Sequence, residues 1–98
     1  MQSGAWTVEW QGIDGNWIPG TTILKGIQDK VSSSTKVEYS LVADFAETSG
    51  LADIGIAVIG ERPYAEGWGD IESPTLSSED LMTIAKLKRV SKKVVVVI

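Results

Sequence analysis

The chain has 98 residues, enough for one domain at the small end of the range that folds alone, with a core of modest size. Hydrophobic residues make up 43% and charged residues 22%, the balance of an ordinary soluble globular protein rather than a disordered one. The net charge of −4 argues against a nucleic-acid partner, and the absence of cysteine and histidine excludes disulfides, thiol nucleophiles, Ser-His or Cys-His catalysis and the usual zinc ligands.

Acid–base chemistry must then come from carboxylates, lysine or tyrosine. No cofactor and no metal site is expected. No stretch approaches the ~20 apolar residues that span a bilayer, and the N-terminus lacks the basic and apolar regions of a signal peptide. The chain is therefore expected to be soluble, with no membrane partner. Its compartment is left open, a secreted or periplasmic parent protein being compatible with it.

Residues Ala5–Gln11 alternate, with Trp6, Val8 and Trp10 on one face, and predict a short strand. Gly12–Gly20 carries Asp14-Gly15, Asn16 and Pro19-Gly20 and predicts a loop. Ile23, Leu24, Ile27 and Val31 recur at helical spacing, predicting a helix over Thr22–Val31 that Thr21 or Thr22 caps and the three serines 32–34 end. Lys36–Ser40 alternates and predicts a strand. Leu41–Gly50 is ambiguous, with a helical turn over Ala43–Glu47 as one reading.

Ile54–Ile59 is an almost unbroken apolar run, the pattern of a strand buried on both faces. A second helix is expected to start at Ser77-Ser78-Glu79-Asp80, where a capping box and early acids suit a helix N-terminus, and to run to about Arg89. Lys86, Lys88, Arg89, Lys92 and Lys93 are five of the nine basic residues, and a solvated helix C-terminus accounts for them better than an anionic partner does. The β-branched run Val94–Ile98 predicts a last strand, again buried on both faces. The fold class that follows is α/β, a mostly parallel sheet with flanking helices, as in a partial three-layer α/β/α sandwich. An apolar edge at Val94–Ile98 also invites self-association by strand addition. A buried strand with no following loop reads as an internal sign of truncation, the whole chain being a single, incomplete domain.

The chemistry-bearing residues gather between Ile54 and Asp70. The apolar run stops at Gly60 and gives way to a loop with Glu61, Arg62, Tyr64, Glu66, Trp68 and Asp70. In open α/β sheets ligands bind outside the carboxyl ends of the strands, so this junction is where a site is expected. Glu61, Glu66 and Asp70 are weighed as a carboxylate pair for glycosidic or metal chemistry against a plainer role, and the plainer role is favoured: they cap loop amides and pair with Arg62 or lysines while lining a crevice. Tyr64 and Trp68 are expected to anchor the loop, with Gly60, Gly67 and Gly69 permitting its turns.

The succession Trp6-x-x-x-Trp10-Gln11-Gly12, Pro19-Gly20-Thr21-Thr22-Ile23-Leu24-x-Gly26-Ile27, and Ala52-Asp53 leading to Gly60-Glu61-x-Pro63-Tyr64-Ala65-Glu66-x-x-Gly69-Asp70 resembles the second domain of glycoside hydrolase family 3, the β-glucosidases and exo-acting β-glucan glucohydrolases. The resemblance runs from about Gly4 to Ile98. It implies an α/β sandwich domain that follows a (β/α)8 barrel, with the active site between them and a β-glucoside or β-glucan oligosaccharide as substrate. It implies retaining hydrolysis, in which a barrel aspartate attacks the anomeric carbon and a glutamate later in the second domain serves as acid and base. Such chemistry requires carboxyls about 5–5.5 Å apart. Neither carboxylate lies within this chain, which is expected to be inert by itself and to contribute the aglycone-side wall. The residue carried over is Trp10, whose indole would clamp the leaving-group sugar, with Trp6 in a weaker supporting role. A stand-alone carbohydrate-binding module and a minimal engineered α/β domain are the rival readings.

Overall fold

The structure is a computed structural model that describes residues 19–46, 50–62, 64 and 66–98. These residues fall into two compact units. One takes in 19–38 and 60–72, and the other takes in 39–59 and 73–98.

In the first unit, helix α1 spans Ile23–Lys30. The Oγ1 of Thr22 accepts from the backbone N–H of Lys25 at 3.1 Å, satisfying one of the donors that a helix N-terminus leaves open. The Lys25 ammonium pairs with Asp29 one turn on. Val31 leaves the helix with extended backbone while its N–H still reaches the carbonyl of Ile27 at 3.1 Å. Lys36–Ser40, expected as a strand, has no ladder partner among the described residues. Its alternation places Lys36 and Glu38 on one side, where they form an ion pair at 2.6 Å. Alternation alone does not make a strand without a neighbour to bond.

The second unit is a βαβ module: strand β1 (Gly55–Val58), helix α2 (Ser78–Arg89) and strand β2 (Val94–Val97). The strands are parallel, in the register Gly55↔Val94 through Val58↔Val97. An isolated bridge between Ala52 and Ser91 extends the ladder towards its start. The N–H groups of Ala52, Lys92 and Gly55 donate to the carbonyls of Val90, Ala52 and Lys93, each at 2.8 Å, and Ile59 closes the far end on Val97 at 3.0 Å. The α/β class and parallel pairing follow the sequence expectation. Helix α2 starts at the expected cap, where the Ser77 hydroxyl accepts from the Asp80 N–H at 3.0 Å and donates to the Asp80 carboxylate at 2.7 Å.

Ala57, Ile59, Leu87 and Ala43 form the buried core, with Phe45, Ile84, Val90 and Val94 packed on it. Gly55 lets α2 come close: a Cβ there would lie 2.7 Å from Leu87 Cγ and would collide with Ser91 Oγ. Along β1 the residues alternate, with Gly55, Ala57 and Ile59 buried and Ile56 and Val58 exposed. By register Val94 and Val96 share the face of Gly55 and Ala57, yet β2 is half-buried only at Val94 and exposed at Val95, Val96 and Val97, so β1 is buried on one face and β2 is mostly exposed, where burial on both faces was expected. A single helix covers a single face.

The helical turn expected over Ala43–Glu47 is absent across its described residues. The Ser40 hydroxyl takes the Asp44 N–H at 2.8 Å, the donor a helix would have sent to the Ser40 carbonyl. Ala43 is buried with φ of 53°, a left-handed conformation that costs a non-glycine residue about 1 kcal/mol or more. The basic cluster is partly structural. Lys86 reaches the carbonyl of Val42 at 3.5 Å and Asp44 at 3.9 Å, and Lys92 bonds Asp53 at 2.7 Å. The Lys92 ammonium holds the Asp53 carboxyl below its usual range, first through that hydrogen bond and then through its charge.

Two substitutions separate the requirements of this contact. Gly55→Ala forces Leu87 and Ser91 away and is expected to destabilise the chain by about 1–3 kcal/mol in urea unfolding. The buried Ser91 Oγ has no hydrogen-bond partner among the described residues, so Ser91→Ala is expected to be neutral or stabilising. Equal destabilisation by both would contradict this packing.

Candidate functional site

The loop 60–72 belongs to the first unit and is organised around Tyr64. The Tyr64 hydroxyl donates to the Glu61 carboxylate. The Tyr64 ring lies so close to Gly69 that any side chain there would overlap it. Between them, Glu66–Gly69 winds into a single 3-10 turn, and the Asp70 N–H reaches back to the Gly67 carbonyl at 3.3 Å. This explains one glycine by close approach. Among the described residues of the loop the left-handed one is Glu66, at φ of 55°, where glycines were expected to supply the sharp turns.

Of the sequence-predicted site residues, Glu61 and Tyr64 are brought together, while Glu66 and Asp70 are exposed and their carboxylates have no hydrogen-bonding or ionic partner among the described residues. No group of three or more metal-ligating side chains occurs among the described residues. Trp10 and Trp6, expected to touch sugar, lie outside the described residues. Trp68 was expected to anchor the loop with Tyr64. It does not: Trp68 is 84% exposed, carried outward between Gly67 and Gly69. The flanking glycines offer it nothing to pack on.

Electrostatics give Tyr64 a supporting role. The Glu61 carboxylate bonds the neutral phenol and repels the phenolate, which raises the Tyr64 pKa above its ordinary value. At neutral pH the phenol stays protonated, a donor that fixes the loop and not a base or nucleophile.

Described residues of the second unit line open depressions of about 460 and 160 Å³. Gly50, Leu51, Arg89 and Val90 line the larger, and Ala43, Asp44, Phe45, Lys86, Arg89 and Val90 the smaller. Both sit where the strands begin, beside the Ala52–Ser91 bridge, and not at the carboxyl ends that the crevice rule favours. No helix among the described residues is long and apolar enough to cross a membrane. The Glu61–Tyr64 bond and the exposure of Trp68 were not foreseen. The first had a signal in the i, i+3 spacing of an acid and a phenol, and the second had one in the Gly-Trp-Gly triplet.

The Glu61–Tyr64 bond is checked by spectrophotometric titration. In a Tyr39→Phe background the remaining phenol is expected to ionise above pH 10.0, and adding Glu61→Gln is expected to bring it back down. The raised folded value means that the stability the bond contributes is present at neutral pH and is lost as pH climbs through the Tyr64 titration. A phenol that titrates identically with and without Glu61 would show that the bond does not form.

Over 112 aligned residues the chain is 26% identical to the lysosomal beta glucosidase of Dictyostelium discoideum, an alignment that takes in 98% of this chain and 14% of that protein. No family model matches the chain. No solved structure matches it. The chain is thus distantly similar, over nearly its whole length, to a short part of a protein named as a β-glucosidase.

Proposed function

We propose that the chain is a piece of the α/β sandwich domain of a family 3 retaining β-glucosidase or exo-β-glucanase. The observation that carries this reading is the similarity to a β-glucosidase over 98% of the chain, in a protein of which it spans 14%. The ordered motifs support it: Trp6-x-x-x-Trp10-Gln11-Gly12 near the start and Gly60-Glu61-x-Pro63-Tyr64-Ala65-Glu66-x-x-Gly69-Asp70 after β1. In such an enzyme the nucleophilic aspartate belongs to a barrel domain, and the part of these 98 residues is to build the leaving-group side of the active site.

Within that role Trp10 packs its indole face against the apolar C–H face of a pyranose, a contact of large area and small entropic cost. Tyr64 and Glu61 hold the loop after β1 in shape.

The test is activity. The 98-residue chain is expected not to hydrolyse an aryl β-glucoside, whereas the polypeptide encoded by the full reading frame around it is expected to do so with retention of anomeric configuration, read by NMR of the first product. In that longer polypeptide Trp10→Ala is expected to lower kcat/KM by about tenfold, or about 1.4 kcal/mol of transition-state binding. Inversion, or no glucosidase activity in the longer polypeptide, would sink the reading.

A further inference from the structure

The end of the β1–α2–β2 module where its strands begin carries positive charge that the module does not use. Five of the nine basic residues fall between Lys86 and Lys93. Two of them are answered within the second unit: Lys86 faces Asp44 and the carbonyl of Val42, and Lys92 bonds Asp53. Arg89 is not. It closes helix α2, is exposed, and has no hydrogen-bonding or ionic partner among the described residues.

Lys88 and Lys93 are exposed as well, but Arg89 alone of the three lines the larger and the smaller depression beside the Ala52–Ser91 bridge. Leu51 and Val90 flank it in the larger, and Phe45 and Val90 in the smaller. Leu51 is 55% exposed, an apolar wall left uncovered next to a guanidinium. Both depressions are open, which suits a length of chain lying across the surface better than a small molecule held on all sides. The planar fork of guanidinium donors matches a carboxylate through two parallel hydrogen bonds, and such bonds strengthen where apolar neighbours keep water away. The complement is therefore an acidic residue with apolar residues beside it, the carboxylate on Arg89 and the apolar side chains on Leu51 and Phe45. Lys86 adds positive charge at the smaller depression, only partly offset by Asp44 at 3.9 Å, so a basic segment would be repelled.

We infer that the surface around Arg89 docks an acidic and apolar segment from elsewhere in a longer polypeptide that contains this chain, tying the start of the parallel sheet to another part of that protein. Charge complementarity sets the chemistry of the segment. Its source follows from length, because the chain spans 14% of the β-glucosidase it is similar to and most of such a polypeptide lies outside these residues. The inference thus rests on the reading of the chain as a piece of a larger glucosidase. The contact is one of assembly and performs no chemistry on a substrate.

The test compares the 98-residue chain with the polypeptide encoded by the full reading frame around it, using arginine modification by phenylglyoxal read site by site in a mass spectrometer. A docked carboxylate that bonds the guanidinium is expected to slow modification of Arg89 by about tenfold or more in the longer polypeptide, while Lys88 is acetylated at similar rates in both. In the longer polypeptide, Arg89→Lys treated with a carbodiimide is expected to link residue 89 to an aspartate or glutamate of the same molecule outside these 98 residues, and Arg89→Gln to lose that link. Arg89 is exposed, so these variants are expected to fold, and unchanged far-UV circular dichroism verifies it. Equal modification of Arg89 in the two polypeptides overturns the docking surface, as does a link made only within the 98 residues, to a second copy or to a separate protein. If the longer polypeptide is a β-glucosidase and Arg89 is unprotected, the docking surface alone has failed. If Arg89 is protected and linked but the longer polypeptide has no glucosidase activity, the docking surface stands and the catalytic reading falls.

Discussion

The β1–α2–β2 module depends on how closely helix α2 can approach strand β1 at Gly55. The missing side chain there admits Leu87 and Ser91, and with them the helix axis comes down onto the sheet. The buried core holds only four apolar residues among those described, two of them alanines, so close approach substitutes for side-chain bulk. The same contact sets where α2 ends and hence where Ser91 bridges Ala52, which starts the parallel register of β2. A larger residue at 55 would move the helix, the bridge and the register together.

The parts legible in the sequence were those decided locally. Thr22 and Ser77 cap helices because their hydroxyls meet backbone donors three residues on, a relation written into spacing. The run ending at Ile59 is a strand because β-branched and apolar residues at that density have few other uses. What was not legible depended on neighbours distant in sequence or on competition within a turn. Lys36–Ser40 has the alternation of a strand and no partner among the described residues. At Ser40 a hydroxyl outcompeted its own carbonyl for the Asp44 amide. The exposure of Ile56, Val58, Val95 and Val97 reflects a layer count that no single segment encodes.

The loop after β1 shows a similar division. Glu61 serves there as the acceptor that fixes Tyr64, a role different from the amide capping and the pairing with Arg62 or lysines that were expected of it. The assignment of Trp68 as a second anchor failed because an aromatic between two glycines has no adjacent side chain to pack against. Frame and loop thus draw on separate physics. The module is held by apolar contact and ladder hydrogen bonds, whereas the loop is held by one phenol–carboxylate bond and one close approach to a glycine. Loops positioned in this way are where proteins commonly place ligand contacts.

Native-state hydrogen exchange followed residue by residue tests the dependence on the Gly55 contact most directly. The amides of Ala52, Gly55, Ile59 and Lys92, all donors in the β1–β2 ladder, are predicted to exchange slowest and at one common opening free energy, with Gly55→Ala lowering all four together and leaving the faster exchange of Asp70 unchanged. Ladder amides that open independently of one another, or that keep their protection in Gly55→Ala, would contradict it.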